Sequence, residues 1–193
     1  MASPARSKPH AEEPPKAASR SMATSAGPSF ETRPAGAPQD EVQRIAHRAA
    51  QGDFRWDAVE TRPYKEDERA LYKAITRQIL FSDPNMAGEL RYFDVAPGGF
   101  STLERHEHMH AVLILRGSGH CLVGDEVKSL STRDLVTVPP MAWHQFRATE
   151  GEPLGFLCMV NAERDRPQLP GADDVARLRQ NPAIAAFLDD KPA

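Results

Sequence analysis

The sequence predicts an all-β domain, built as an antiparallel barrel or sandwich. Between residues 87 and 161, short apolar or alternating runs of strand length follow one another, and turn signals rich in Gly, Pro, Asp and Ser separate them. No helix of normal length fits between these runs, which excludes a parallel sheet built from strand–helix–strand units. An antiparallel sheet without crossover helices is therefore expected.

The chain begins with a segment that is predicted to be disordered. Residues 1–40 are rich in Pro, Ala and Ser and have neither a helical nor a strand period. Such a segment cannot bury enough apolar surface to offset the entropy of ordering. The N-terminus lacks the apolar stretch of a secretory signal, and no run approaches the roughly 20 apolar residues that span a bilayer. These features predict a cytoplasmic protein with no membrane partner.

Residues 41–74 are predicted to form a helical or irregular extension before the barrel. Asp40 is a suitable helix cap, and apolar residues at helical intervals follow it until Gly52 ends the pattern. Ile75–Phe81 alternates in the manner of a strand. We therefore expect the barrel to occupy residues 75–161.

Seven further strands and two helices are predicted after residue 87. The strands are Leu90–Val95, Phe100–His106, Ala111–Leu115, Gly119–Val123, Leu135–Val138, His144–Ala148 and Leu154–Val160, with breaks at residues 96–99 and 116–119 among others. A helical period returns after Pro170, with short helices expected over residues 173–180 and 182–188. Residues 162–193 are thus predicted to form a C-terminal helical segment.

Charge and cysteine usage exclude several classes of partner and site. The net charge is −3 with a pI of about 6.2, and no basic stripe suited to a phosphate backbone is present, so nucleic acid is not expected as a partner. Cys121 and Cys158 lie in apolar runs without a CxxC partner and are predicted to be buried, reduced thiols. Neither lies near the histidine cluster in sequence, which argues against a thiolate metal site.

Metal-binding side chains are concentrated in one short stretch of the sequence. In an extended chain, side chains two residues apart share a face, so four of them would point the same way: Glu104, His106, His108 and His110. His144, which follows Pro139-Pro140, is a further candidate. Imidazole and carboxylate together suit one divalent transition ion such as Fe, Mn, Ni, Cu or Zn. The alternative interpretation of this stretch is a solvated loop.

The same stretch resembles the first motif of the cupin superfamily, G(X)5HXH(X)3–4E(X)6G. Gly98 is followed after five residues by Glu104, and then His106, His110 and Gly117 come at the spacing of the family. The second motif, G(X)5PXG(X)2H(X)3N, is matched in part by Pro140 and His144, and its Asn is absent. The resemblance covers residues 75–161. It implies a double-stranded β-helix, or jelly-roll barrel, with short flanking helices.

The resemblance also implies a metal centre in which two ligands are exchanged. By spacing, Glu104 takes the position of the first histidine, and His110 takes that of the glutamate. The implied ligands are therefore Glu104, His106, His110 and His144, and an alternative register uses His108 in place of Glu104. Four protein ligands leave two positions of an octahedral ion for a chelating substrate.

The resemblance does not select a reaction, because cupins include dioxygenases, decarboxylases, isomerases, lyases and metal-free binding proteins. We expect a metal-dependent enzyme of the oxygenase type acting on a small organic substrate chelated at the ion, with no catalytic residue assigned. A non-redox isomerase or lyase and a non-catalytic binding protein are the alternatives. A homodimer is expected, since unpaired sheet edges need cover. The residues expected to line the substrate pocket are Phe100, Thr102, Met141, Trp143, Phe146 and Phe156.

Overall fold

A computed structural model describes residues 47–65 and 69–189. The predicted tail over residues 1–40 and the first part of the predicted helix, residues 41–46, lie outside the described residues. The described strands and helices are β1 Arg62–Pro63, β2 Lys73–Phe81, β3 Gly88–Phe100, β4 His110–Val123, β5 Glu126–Ser131, β6 Leu135–Val138, β7 His144–Ala148, β8 Leu154–Asn161, α1 Ala172–Leu178 and α2 Pro182–Asp189. Neither of these two helices is long and apolar enough to cross a membrane.

The strands form an antiparallel sheet that closes into a jelly-roll barrel. One side has the order β2, β3, β8, β4 and β6, and the other has the order β3, β7, β4 and β5. Strands β3 and β4 belong to both sides, because each pairs with β8 along one part of its length and with β7 along another. The predicted all-β jelly-roll barrel with short flanking helices is confirmed.

Two predicted breaks are corners inside long strands. Strand β3 runs through residues 96–99, and β4 runs through residues 116–119, so the two strands predicted between residues 111 and 123 are one. Gly98 and Gly117 have φ angles of 65° and 70°, a region that favours glycine, and they let each strand bend from one side of the barrel to the other. A Cβ atom on Gly117 would lie 1.6 Å from the carbonyl oxygen of Pro153, so this corner requires glycine.

The strand predicted over Phe100–His106 is wrong. After β3 ends at Phe100, residues 101–109 form a loop that touches β7 only through isolated bonds, such as the one from the backbone N–H of Ser101 to the carbonyl oxygen of Phe146 (2.9 Å). Strand β5, which was not predicted, pairs with β4 over Glu126–Ser131. Its apolar residues are too few and too widely spaced among polar ones to give a clear pattern.

The helix predicted to end at Gly52 is wrong for its described part. Residues 47–50 are not helical, and Ala50 forms an isolated β-bridge with Trp56. The rings of Phe54 and Trp56 pack on Tyr92, with centroids 5.4 and 5.3 Å from it. This aromatic contact with the barrel wall outweighs the weak local preference for a helix.

The barrel interior holds the main apolar core. Its buried members come from every long strand and include Ile75, Val95, Ile114, Phe146 and Phe156. The two cysteines are buried free thiols, as predicted. A second cluster attaches α2 to the outside of the barrel, where Leu122, Ile184 and Phe187 pack together. The barrel is therefore filled by side chains along part of its length, and the remaining part holds the cavity described next.

Candidate metal centre

The chain brings three histidines together from a loop and two strand ends. His110 is the first residue of β4 and His144 is the first residue of β7, while His106 lies in the loop before β4. Backbone bonds fix this loop to β7 and to the turn before it: the N–H of His144 donates to the carbonyl of Glu104 (2.9 Å), and the N–H of Met141 donates to that of His106 (2.7 Å). The three side chains thus meet inside one end of the barrel.

The three imidazoles have the geometry of a ligand set. One ring nitrogen from each of His106, His110 and His144 lies within 4.8 Å of the others, and the Nε2 atoms of His106 and His110 are 2.8 Å apart. The His144 ring lies edge-on to the other two, with centroid distances of 4.8 and 5.3 Å. The three nitrogens therefore surround a common point, as the ligands of a transition ion do.

The other nitrogen of each ring is held by a neighbour. The Nδ1–H of His106 donates to the carbonyl of His108 (2.8 Å), and that of His144 donates to the carbonyl of Ala142 (3.0 Å). Nδ1 of His110 lies 3.2 Å from Sγ of Cys158. Such contacts fix the ring orientation and leave Nε2 available as a ligand, which is the usual arrangement around metal-binding histidines. The residues present fit a divalent transition ion.

Electrostatics keep these imidazoles neutral near pH 7. Burial, followed by the effect of neighbouring imidazoles, lowers the pKa of His106 to about 4 and that of His110 to about 2. Burial is also the main reason why the pKa of His144 falls to about 4. A neutral ring offers a lone pair, so protons compete with a metal for these nitrogens only in acid.

Glu104, predicted as the fourth ligand, does not join this cluster. Its side chain is buried, and its carboxylate forms an ion pair with the ammonium group of Lys65. Burial raises the pKa of Glu104, and the charge of Lys65 opposes that shift. A lysine from the segment before the barrel thus binds the carboxylate in this structure, and Glu104 as a metal ligand stays a prediction.

His108, the alternative ligand, lies beside the cluster and belongs to a second pair. Its ring stacks on that of His106 at a centroid distance of 3.6 Å, and its Nδ1–H donates to the carboxylate of Asp165 (2.6 Å). The carboxylate of Asp165 also accepts the backbone N–H of Glu107 (2.9 Å). Although burial acts against it, these hydrogen bonds lower the pKa of Asp165 to about 2. The pair thus places an oriented imidazole next to the three-histidine centre.

The centre opens into a cavity of about 770 Å³ with a strongly cationic lining. His106, His108 and His110 form one part of its wall, and Cys158 lies next to them. Six cationic and two acidic side chains complete the charged part of the lining: Lys65, Arg69, Arg77, Arg91, Arg164, Arg166, Glu104 and Asp165. Such a cavity suits an anionic ligand, whereas the sequence suggested a mainly apolar one.

Of the residues predicted to line the substrate pocket, two lie beside the three-histidine centre and the others do not. Phe146 and Phe156 line a narrow pocket of about 40 Å³ that adjoins His110 and His144. Phe100 and Thr102 border a separate groove beside the C-terminal helices. Two further predicted residues, Met141 and Trp143, line none of these spaces. The prediction assumed strand alternation between residues 100 and 106, and that segment is a loop.

Several residues of the site have little signal in the sequence. Lys65 and Asp165 lie in irregular segments on either side of the barrel. Arg77 and Arg91 did leave a signal, because each occupies an inward position of a strand, two residues from Ile75 and Phe93 respectively. An arginine in a core-facing row is unusual, and it marks a strand face that turns toward a polar cavity.

Known proteins similar to this chain include cupin-domain proteins and one named enzyme. A family profile described as a cupin domain matches residues 91–160. A protein of Rhodospirillum rubrum named 1-methylthio-D-xylulose 5-phosphate methylsulfurylase is 56% identical over 142 residues, which cover 74% of this chain and 91% of that protein. A cupin 2 conserved barrel domain protein from Rhodopseudomonas palustris has a TM-score of 0.70 at 56% identity, covering 74% of this chain and 98% of its own. A cupin-2 domain protein from Rhodospirillum rubrum has a TM-score of 0.68 at 56% identity, covering 74% and 96%.

Proposed function

The chain belongs to the cupin family, and from this premise we propose that it is a metal-dependent enzyme acting on a small phosphorylated ketose. The observation that carries the proposal is the shared cavity, in which two imidazoles of the three-histidine centre, those of His106 and His110, face the same space as a cationic wall. The imidazoles suit a metal ion, and the cationic wall suits an anionic substrate. A volume of about 770 Å³ accommodates a pentose phosphate.

The methylsulfurylase from Rhodospirillum rubrum indicates a more specific class of substrate. Its name states that it acts on 1-methylthio-D-xylulose 5-phosphate, a ketose with a sulfur substituent at one end and a phosphate at the other. At 56% identity over most of both chains, we extend this class of substrate to the present protein. A divalent ion held by His106, His110 and His144 would supply Lewis acidity toward the ketone oxygen.

The chain provides a group to move the proton of such a substrate. A ketone acidifies the hydrogen atoms of its neighbouring carbon, and the first step we propose is removal of one of them. The C–H bond breaks, its electron pair shifts toward the ketone, and the proton passes to His108. Asp165 holds the other ring nitrogen of His108 at 2.6 Å, so it orients this base and stabilises the charge that it gains.

This proposal sets the oxygenase prediction aside in favour of its non-redox alternative. Proton abstraction beside a ketone is the opening step of isomerase and lyase chemistry and consumes no dioxygen. Two observations support the change: the cationic lining suits a sugar phosphate better than an apolar aromatic substrate, and the named relative acts on a ketose phosphate.

The test uses tag-free protein loaded with one divalent metal at a time and kept under argon in D2O. 1-Methylthio-D-xylulose 5-phosphate is added with and without a small thiol, and NMR follows deuterium entry beside the ketone and loss of the S-methyl signal. We expect deuterium entry under argon with or without the thiol, and loss of the S-methyl signal only with it. In that loss the thiol sulfur bonds to the methylthio sulfur, the carbon–sulfur bond breaks with its electron pair shifting toward the ketone, and the freed carbon takes a proton, which gives a mixed disulfide and a 1-deoxyketose phosphate. We expect His106→Ala to lose bound metal and activity together. His120→Ala, which changes an exposed histidine, is the matched control.

Three results would contradict the proposal. These are deuterium exchange that needs dioxygen, full activity after removal of all metal by a chelator, and stoichiometric metal retained by His106→Ala. Exchange of protons without loss of the S-methyl group would keep the metal-dependent ketose enzyme and exclude cleavage of the carbon–sulfur bond.

A further inference from the structure

We infer that Arg77, Arg91 and Arg164 form the subsite for the substrate phosphate, two strands away from the three-histidine centre. This inference rests on the proposed function, since it assigns one end of the proposed substrate to particular residues. It is carried by the position of the three arginines, by their incomplete neutralisation among the described residues, and by a buried guanidinium nitrogen that no described residue accepts a hydrogen bond from.

The three arginines come from adjacent parts of one barrel wall. Arg91 on β3 is paired in register with Cys158 on β8, so their side chains share the inner face of the sheet. Arg77 lies on the neighbouring strand β2, opposite Phe93, which is also an inner residue. Arg164 follows β8 and lines the same cavity. Three guanidinium groups therefore converge on one region of the wall.

Within residues 47–65 and 69–189, one carboxylate forms ion pairs with this group. Glu89 is buried, forms an ion pair with Nε of Arg91, and lies 3.5 Å from Nη1 of Arg164. Through these two contacts, Glu89 orients both guanidinium groups. With three cations and one anion, the cluster retains a positive charge that an anionic ligand would neutralise.

Two details show that the described residues do not fully satisfy the cluster. Nε of Arg77 is buried and has no hydrogen-bond partner among the residues that the structure describes. Burial, followed by the positive charge of Arg91, lowers the pKa of the Arg164 guanidinium, and Arg77 adds to that repulsion. A buried donor without an acceptor and mutually repelling cations are unfavourable in themselves. An acceptor-rich dianion placed among them would relieve both.

A phosphate monoester is the ligand class that fits this arrangement. Guanidinium groups present paired N–H donors that match phosphate oxygens, and they keep their charge at any physiological pH. His110 on β4 and Arg91 on β3 are separated by β8, which corresponds to two strand spacings, or about 10 Å. A pentulose 5-phosphate bridges a distance of this order between its ketone and its phosphate. The sugar chain would then pass over Cys158.

The experiment compares Arg77→Met and Arg77→Lys with Arg177→Met, which removes the same charge at an exposed helix position that does not line the cavity. Arg77 is chosen because no described carboxylate is ion-paired with it, so its removal leaves no described anion unpaired. Calorimetry measures inorganic phosphate binding to the metal-free proteins, and D-xylulose 5-phosphate and D-xylulose binding to the metal-loaded ones. Thermal unfolding confirms that each variant is folded.

We expect Arg77→Met to weaken binding of phosphate and of D-xylulose 5-phosphate by about 10- to 100-fold, the effect of one charge-assisted contact. Arg77→Lys should lose less of this affinity, and Arg177→Met should lose none of it. The affinity for D-xylulose and the metal content should not change in any variant. The inference fails if Arg77→Met binds both phosphate probes as tightly as the wild type does. It also fails if the wild type binds D-xylulose 5-phosphate no more tightly than D-xylulose.

The outcome separates this inference from the proposed function. Phosphate binding that depends on Arg77, in a protein that holds no metal or exchanges no substrate proton, would support the subsite and defeat the proposed enzyme. Metal-dependent turnover that is indifferent to Arg77→Met would keep the enzyme and defeat the subsite.

Discussion

The two ends of the barrel interior are built by the same strands and have opposite chemistry. On β3 the inner row changes from Val95 and Phe93 to Arg91 and Glu89, and on β4 it changes from Ile114 to His110. Strand pairing continues across the change. The difference teaches that a strand face can pass from apolar core to polar cavity while the strand pairing continues, because the identity of the side chains decides which of the two it forms.

The two ends also differ in what holds them. At the apolar end, ring centroids of Phe93 and Phe156 are 5.3 Å apart and those of Phe146 and Phe156 are 5.0 Å apart, which indicates close packing of large apolar surfaces. At the polar end, buried ionisable groups are kept in place by hydrogen bonds and ion pairs, which contribute little net stability. We therefore expect stability to depend on the first end and metal binding on the second.

The largest expected effect comes from breaking the apolar end. Phe156→Ala removes a side chain that contacts two other rings, and we expect it to lower the free energy of unfolding by about 3–5 kcal/mol. Urea titration of the metal-free protein measures this. Met159→Ala, on the same strand but on the outer face and 60% exposed, should change it by no more than about 0.5 kcal/mol. An equal decrease in the free energy of unfolding in the two variants would contradict the conclusion that packing at the apolar end supplies the stability.

A smaller effect on stability and a specific loss of metal are expected at the polar end. His144→Gln removes one of three imidazole ligands but keeps a side chain of similar size, so zinc affinity should fall by more than about 100-fold, that is by about 3 kcal/mol. The free energy of unfolding of the metal-free protein should change by about 1 kcal/mol or less. His120→Gln is the control with unchanged affinity. Unaltered zinc binding in His144→Gln would remove His144 from the ligand set.

The smallest expected effect is a pH dependence that isolates one imidazole. Because the pKa of His144 is about 4 in the folded protein, the unfolded chain takes up its proton first as the pH falls below about 6.5. Stability from this group is present above pH 6.5 and is lost toward pH 4. Between pH 7 and pH 5, metal-free wild type should therefore lose about 2 kcal/mol more than His144→Gln does. Parallel pH profiles of the two proteins would contradict the lowered pKa.

The fold was largely predictable because its signals are local. Alternating runs and turn residues gave the strands β6 and β7 at their observed bounds, and the motif spacing placed Gly98 and Gly117 within the family pattern. The errors came where local pattern and tertiary packing disagree. The two glycine segments read as turns, although in the barrel they are bends within continuous strands.

The site was predictable only in part, because half of it comes from distant segments. Spacing pointed to His106, His110 and His144, and the structure brings them together. Lys65 lies 39 residues before Glu104 in the chain, and no local pattern announces that it binds this carboxylate. The cationic wall was missed because pocket residues were sought by alternation through residues 100–106. The homodimer, the cytoplasmic location and the absence of nucleic acid partners stay predictions.

The order in which the chain is made gives the three-histidine centre a further property. His106 and His110 are close in sequence, whereas His144 begins β7, 34 residues after His110, and reaches them only when β7 has paired with β4. Contacts between such distant segments form late, since the chain entropy of closing the loop opposes them. A growing or partly folded chain therefore offers at most two of the three imidazoles. We therefore expect tight metal capture only after the barrel has closed.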